Sequence, residues 1–269
     1  MKNRFQPKYD PLQVFEGSKT PAGLYARQKW RREENTESWV SDFDERVKAL
    51  REGQHPNGSW NDSEIDTIKR LFGLHLTVRE RDDSIDLALD WLLNKVSFSR
   101  FPVTPHVTPV EILNNLPFSN GCFSHFVTCA GLFLANCFNR GEEEKVAGIY
   151  DRIGREIEAK GGHLCSIECI NNALRAFVVH ERYSRSRAAM LMVKYVGRRQ
   201  LESGRWKGRT PLYMTLNALA HLDSANAIRQ CITAVESILK TQNKDGTWGR
   251  IQKEWNTFLV VHALNRLNA

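Results

Sequence analysis

Along this chain, stretches that are apolar on nearly every side alternate with stretches that are apolar on one side only. Residues 122–138, CFSHFVTCAGLFLANCF, and 210–222, TPLYMTLNALAHL, are of the first kind and are predicted to be largely buried helices. Residues 226–241, NAIRQCITAVESILKT, are of the second kind. There Ile228, Ile232, Val235 and Leu239 recur at helical spacing beneath a polar face, which predicts an outer helix. Outer and inner stretches follow one another, so the pattern predicts an all-α chain built of helical pairs.

A glycine marks the junction between each outer stretch and the next inner one, and the residues around it repeat. Gln54, Gly58 and Trp60 recur as Gln200, Gly204 and Trp206, and again as Gln242, Gly246 and Trp248. Two degenerate copies keep the glycine and an apolar residue two places later: Gly121 with Phe123, and Gly162 with Leu164, where Glu158 stands in place of the glutamine. A sixth, weaker copy has Gln13 and Gly17. Successive glycines lie 41, 63, 41, 42 and 42 residues apart, a period near 42 with one insertion. Gly58, Gly204 and Gly246 follow Asn57, Ser203 and Asp245, pairs that turns prefer. A glutamine amide can bond backbone groups at a helix end, and a tryptophan can pack on the neighbouring pair. The Gln and Trp residues are therefore read as structural staples, not as catalytic groups. The insertion, about 97–118, carries Pro102, Pro105, Pro109 and Pro117, which forbid a regular helix throughout. A lid or cavity wall and a surface loop without a role both remain open for it.

This phrase, preceded by an amphipathic helix, resembles the QW motif of the terpenoid cyclase and protein prenyltransferase superfamily. The resemblance covers almost the whole chain and implies an (α/α)6 toroid, six helical hairpins closed into inner and outer rings, as one domain over residues 1–269. It further implies that an apolar or isoprenoid-like small molecule is bound in the central cavity, and leaves open whether it is transformed there. The class II acid motif Asp-x-Asp-Asp is absent. The nearest string, Asp42-Phe43-Asp44-Glu45, lies in the first outer helix and is expected to be charged surface. Asp82-Asp83-Ser84-Ile85-Asp86 formally matches the Asp-Asp-x-x-Asp string of class I terpene synthases, which have a different fold. Here it opens an outer helix and is read as a cap. The Asp-x-Cys and downstream His of the zinc-binding prenyltransferases cannot be placed, so no ligand carries over from them.

Charge and cysteine usage narrow the setting. The formal net charge of +7 favours anionic partners in general. Acidic residues are interspersed and no recognised binding module is present, so nucleic acid is not expected as a partner. No window approaches the roughly 18–20 apolar residues of a membrane helix, so a soluble, cytoplasmic protein without a transmembrane segment is expected. Six cysteines fall mainly within helical patterns, which suits reduced thiols.

Candidate chemistry is sought at the beginnings of the inner helices, the expected lining of a central concavity. In register with the glycines these are Asp62, Glu64 and Asp66, then Cys122, His125 and Cys129, then His163, Cys165, Glu168 and Cys169. The last two repeats add Arg209 with Tyr213 and Glu254 with Trp255. Cys122, His125, His163, Cys165 and Cys169 are ligand types that zinc uses, at spacings that share a helix face. Glu64, Glu168 and Glu254 could instead supply the carboxylate pair of a sugar-cleaving enzyme. For a bound apolar molecule, Arg209, His125, Glu168 and Tyr213 would orient it. The opposing expectation is a non-catalytic scaffold whose centre is filled by Phe123, Phe126, Phe133, Phe177 and Trp255.

Overall fold

A computed structural model of the chain describes residues 5–96 and 113–269, so most of the proline-rich insertion, 97–112, lies outside the described residues. Its described end turns inward. Leu113, Leu116 and Phe118 are buried, and Phe118 meets Phe126 and Phe133 edge-on.

The described residues form eleven α-helices and no strand. Six make an inner ring: α1 (Pro21–Lys29), α3 (Glu64–Thr77), α5 (Phe123–Cys137), α7 (Ile167–Val178), α9 (Leu212–Leu219) and α11 (Lys253–Asn268). Each packs on the next, and α11 returns to α1. Outside them lie α2 (Glu37–Arg51), α4 (Asp83–Lys95), α6 (Glu144–Ala159), α8 (Arg187–Gly197) and α10 (Ala225–Lys240), wedged against the inner helices. The result is an α/α toroid with two concentric layers. Helix starts are set locally, since Thr20, Thr36, Ser63, Asp82, Ser166, Ser186 and Ser224 each accept a backbone N–H of the first turn.

Burial follows the layers. Every residue of α7 is buried, the polar Glu168, Asn171, Asn172 and Arg175 included. On α10 the buried stripe differs from the expected one. Ile228 is 39% exposed, Ile232 and Leu239 are half-buried, and the covered face is Ala227, Gln230, Cys231, Ala234, Val235 and Ile238. The Asp42 string also departs from expectation. Asp44 and Glu45 are exposed, but Asp42 is buried and bonds the buried Arg27 at 2.7 Å. Arg27 holds its carboxyl below the usual range, with Lys19 adding to the effect. Arg27 on α1 faces α2 and requires an anion there.

The repeated glycine is a point of contact between pairs. Gly58, Gly162, Gly204 and Gly246 have φ of +92°, +101°, +82° and +81°. A Cβ on them would meet backbone carbonyl oxygens of Leu87, Leu191, Thr233 and Asp10 at 2.0–2.5 Å. The glutamine ties the same junction. Gln54 Nε2 donates to the Gly58 carbonyl of its own turn and to Ser84 O of α4, and Gln200 Nε2 does so to Gly204 and to Gln230 O of α10. Gln242 repeats this on Tyr9, accepting its N–H and donating to its carbonyl, each at 3.0 Å. The amino-terminal segment thus fills the sixth outer position. The third copy breaks the rule: Gly121 lacks a positive φ, and what approaches it is Cys169, not an outer helix.

Candidate functional site

The central cavity, about 390 Å³, is lined from the carboxyl halves of α1, α3, α5, α7 and α9 and by Trp255, Phe258, Leu259 and His262 of α11. Its deep wall is aromatic. Phe72, Phe133, Trp255 and Phe258 are buried, with Phe72 edge-on to Trp255 at 5.9 Å and Trp255 stacked on Phe258 at 5.3 Å. Toward the exposed Lys29 the wall becomes basic and imidazole-rich, with Arg79, Arg175, His75, His221 and His262. Among the described residues the wall carries no carboxylate.

The polar atoms of this wall are incompletely paired. Arg175, 4% exposed, bonds Asn217 through one terminal nitrogen, and Asn217 Nδ2 in turn donates to Leu259 O at 2.9 Å. Arg79 bonds Gln28 and lies over the Tyr25 ring at 4.7 Å. Yet Arg79 Nε, Arg175 Nε, Trp255 Nε1 and His75 Nδ1 are buried with no hydrogen-bond partner. Three of these four are obligate donors. Burial lowers Arg175 to about 10. Burial, reinforced by the nearby arginines, also lowers His75 and His262 to about 4 and His221 well below its usual value. The imidazoles are therefore neutral at pH 7, and the arginines carry the positive charge.

The inner-helix beginnings hold a second constellation. Cys122 caps α5, His125 is one turn along it, Cys165 precedes α7 and Cys169 lies in its first turn. The four ligand atoms all lie within 4.8 Å of one another. Cys165 Sγ is 3.1 Å from Cys122 Sγ and from Cys169 Sγ, and 3.3 Å from His125 Nδ1. Hydrogen bonding from Cys165 is the main influence holding the Cys169 thiol well below its ordinary range, toward the thiolate. His163 stands apart: it is exposed and stacks on Tyr195 of the outer helix α8 at 5.9 Å. The turn at Gly162 places its ring on the outer side.

The other sequence candidates are scattered. Glu64 and Glu168 lie in the first turns of α3 and α7, and Glu254 in that of α11. Glu254 accepts from Ser18 Oγ at 3.0 Å and from Thr20, lacing α11 to the cap of α1. These carboxylates occupy alternate inner helices, and none lines the central cavity. Arg209 is exposed beside a small separate recess, and Tyr213 is half-buried. Trp255 does line the cavity. Of the aromatics expected to plug the centre, Phe133 forms wall. Phe177 packs on Tyr150, and Phe126 on Phe118 and Phe123. Sequence reasoning missed Arg79, Arg175 and the histidines because it aligned only the beginnings of the inner helices. The available signal was Arg175, the lone cation of its inner helix, at the same distance past its glycine as Asn217 and Leu259.

Fold and cavity together define an α/α toroid with one aromatic, basic central site. The fold is similar to that of a protein from Actinoplanes, with a TM-score of 0.59 and 14% identity over 100% of this chain and 95% of that one. It is also similar to a type II terpene cyclase from Scytonema, with a TM-score of 0.57 and 11% identity over 96% of this chain and 86% of that one. No protein-family model and no curated protein matches the chain.

Proposed function

We propose that the protein binds, in its central cavity, an apolar, isoprenoid-like molecule with an anionic end. The observation that carries this reading is the set of unpartnered donors on Arg79, Arg175 and Trp255, buried in an aromatic cavity whose described wall lacks a carboxylate. Each such donor left unpaired costs about 1–3 kcal/mol, which ligand oxygens would offset. An isoprenoid body suits the opposite wall, since burying about 200 Å² of hydrocarbon yields roughly 5 kcal/mol. The volume lies in the range of small-molecule sites, which favours a ligand over a side-chain-filled scaffold. The likeness to a terpene cyclase toroid supports the isoprenoid class but brings no acid to this cavity.

Calorimetric titration with farnesyl diphosphate, farnesol and inorganic pyrophosphate tests this. Farnesyl diphosphate is expected to bind more tightly than either fragment, and Arg175→Gln and Phe258→Ala are each expected to weaken it at least tenfold. Absence of binding, or affinity indifferent to both substitutions, would overturn the reading.

A further inference from the structure

We infer that Cys122, His125, Cys165 and Cys169 form a structural zinc site that clamps the third repeat to the fourth. Three sulfurs and one imidazole nitrogen make a Cys3His set, and their ligand atoms lie within 4.8 Å of one another. A tetrahedron with Zn–S bonds of about 2.3 Å has edges of about 3.8 Å, so the ion fits with small shifts of side chains. The present sulfur separations of 3.1 Å are far longer than a disulfide bond of about 2.05 Å, and all three cysteines are free thiols. Buried His125 and Cys169 form the inner side, while exposed Cys165 leaves an entry path for the metal.

The position of the cluster explains why the chain carries it. Repeats with a complete Gln-x3-Gly-x-Trp phrase are tied to the next outer element by the glutamine amide and the close glycine contact. The third copy has neither Gln nor Trp, and Gly121 lacks the positive φ. At that gap a Cβ on Gly121 would stand 2.9 Å from Cys169 Sγ, and the Cys122 N–H donates to the same sulfur at 3.3 Å. The missing staple is replaced by ligands from α5 and from the start of α7. Four protein ligands leave no open coordination position, so the metal holds structure instead of activating substrate. It also lies at the opposite ends of α5 and α7 from the central cavity.

Protein purified under reducing conditions, loaded with zinc and dialysed, should retain one zinc per chain by elemental analysis. Cys165→Ser and Cys169→Ser should each retain less than a tenth of that, whereas Cys137→Ser and His163→Gln should keep it. Because Cys169→Ser risks misfolding, cobalt titration of the unaltered protein gives a second readout, expected to be the visible spectrum of tetrahedral, sulfur-ligated cobalt. Any one of three results overturns the inference: no zinc in the unaltered protein, full zinc in both serine variants, or a cobalt spectrum of octahedral oxygen ligation. A mass reduced by two hydrogens after anaerobic purification would instead assign a disulfide. Zinc content is read independently of farnesyl diphosphate binding, so the two proposals stand or fall separately.

Discussion

Arg175 shows most sharply how one residue can link stability to the proposed binding site. Its guanidinium is buried with one terminal nitrogen on Asn217 and its Nε unpaired, and burial alone pulls it from 12.5 to about 10. At pH 7 that displacement costs on the order of 3 kcal/mol of folding stability. Basic groups near helix carboxyl ends are favourable in any protein, and Lys29 and Arg79 fit that account. It does not explain a buried, half-paired arginine. Arg175→Met is therefore expected to raise the urea midpoint of the free protein, or leave it unchanged, while abolishing farnesyl diphosphate binding. A large loss of stability would mark Arg175 as a structural residue instead. His75 and His262 carry a separate signature. Their folded pKa of about 4 lies below the unfolded 6.5, so between those values the unfolded chain binds more protons. Stability should fall as pH drops from 6.5 to 4, by about 1.4 kcal/mol per pH unit for each histidine. This window lies above the one in which Asp42 protonates, and His75→Gln should flatten the fall in a urea series measured at each pH.

At the scale of elements, the turn glycines matter through two different constraints. Gly204 has φ +82° and no room, since a Cβ would sit 2.2 Å from Thr233 O. Gly17 has φ +64° with open space around it. Gly204→Ala should cost roughly 2–4 kcal/mol and Gly17→Ala only about 1 kcal/mol, read from denaturation midpoints. Equal costs would mean that backbone strain alone, and not contact with α10, fixes the junction. The same contrast explains what the sequence made legible. Period, helix pairing and turn chemistry are readable because Gly58, Gly162, Gly204 and Gly246 share one left-handed conformation pressed against a neighbouring backbone, and copies of that constraint leave similar residues at fixed spacing. The far ends of the inner helices carry no such marker, because their side chains answer to neighbours around the ring. The cavity wall at Arg79, Arg175, His221 and His262 is illegible in the sequence for that reason, while Cys122, His125, Cys165 and Cys169 stand out beside two glycines, though together with His163, which the structure sets apart. On α10, Val235 is buried and Ile232 and Leu239 pack against the core as expected, while Ile228 is turned out and Ala227, Cys231 and Ala234 share the covered face.

At the scale of the molecule, the ring is closed by its two ends. Gln242 bonds both backbone groups of Tyr9, and Asn268 bonds both backbone groups of Phe5. Gln242→Ala should speed amide hydrogen exchange through residues 5–16 while sparing α5 and α7; uniform protection would show that closure rests on apolar packing alone. Closure also shapes the site, because α1 and α11 meet across Tyr25 and Phe258, whose rings are 5.4 Å apart on the cavity wall. No helix among the described residues is long and apolar enough to cross a membrane. Whether the cavity binds an isoprenoid diphosphate is tested most directly by a crystal structure of the protein with a non-hydrolysable farnesyl diphosphate analogue. The expected result is a diphosphate within hydrogen-bonding distance of Arg79 and Arg175, with the hydrocarbon against Phe72, Phe133 and Trp255. A ligand seated elsewhere, or one whose diphosphate points away from both arginines, would contradict it.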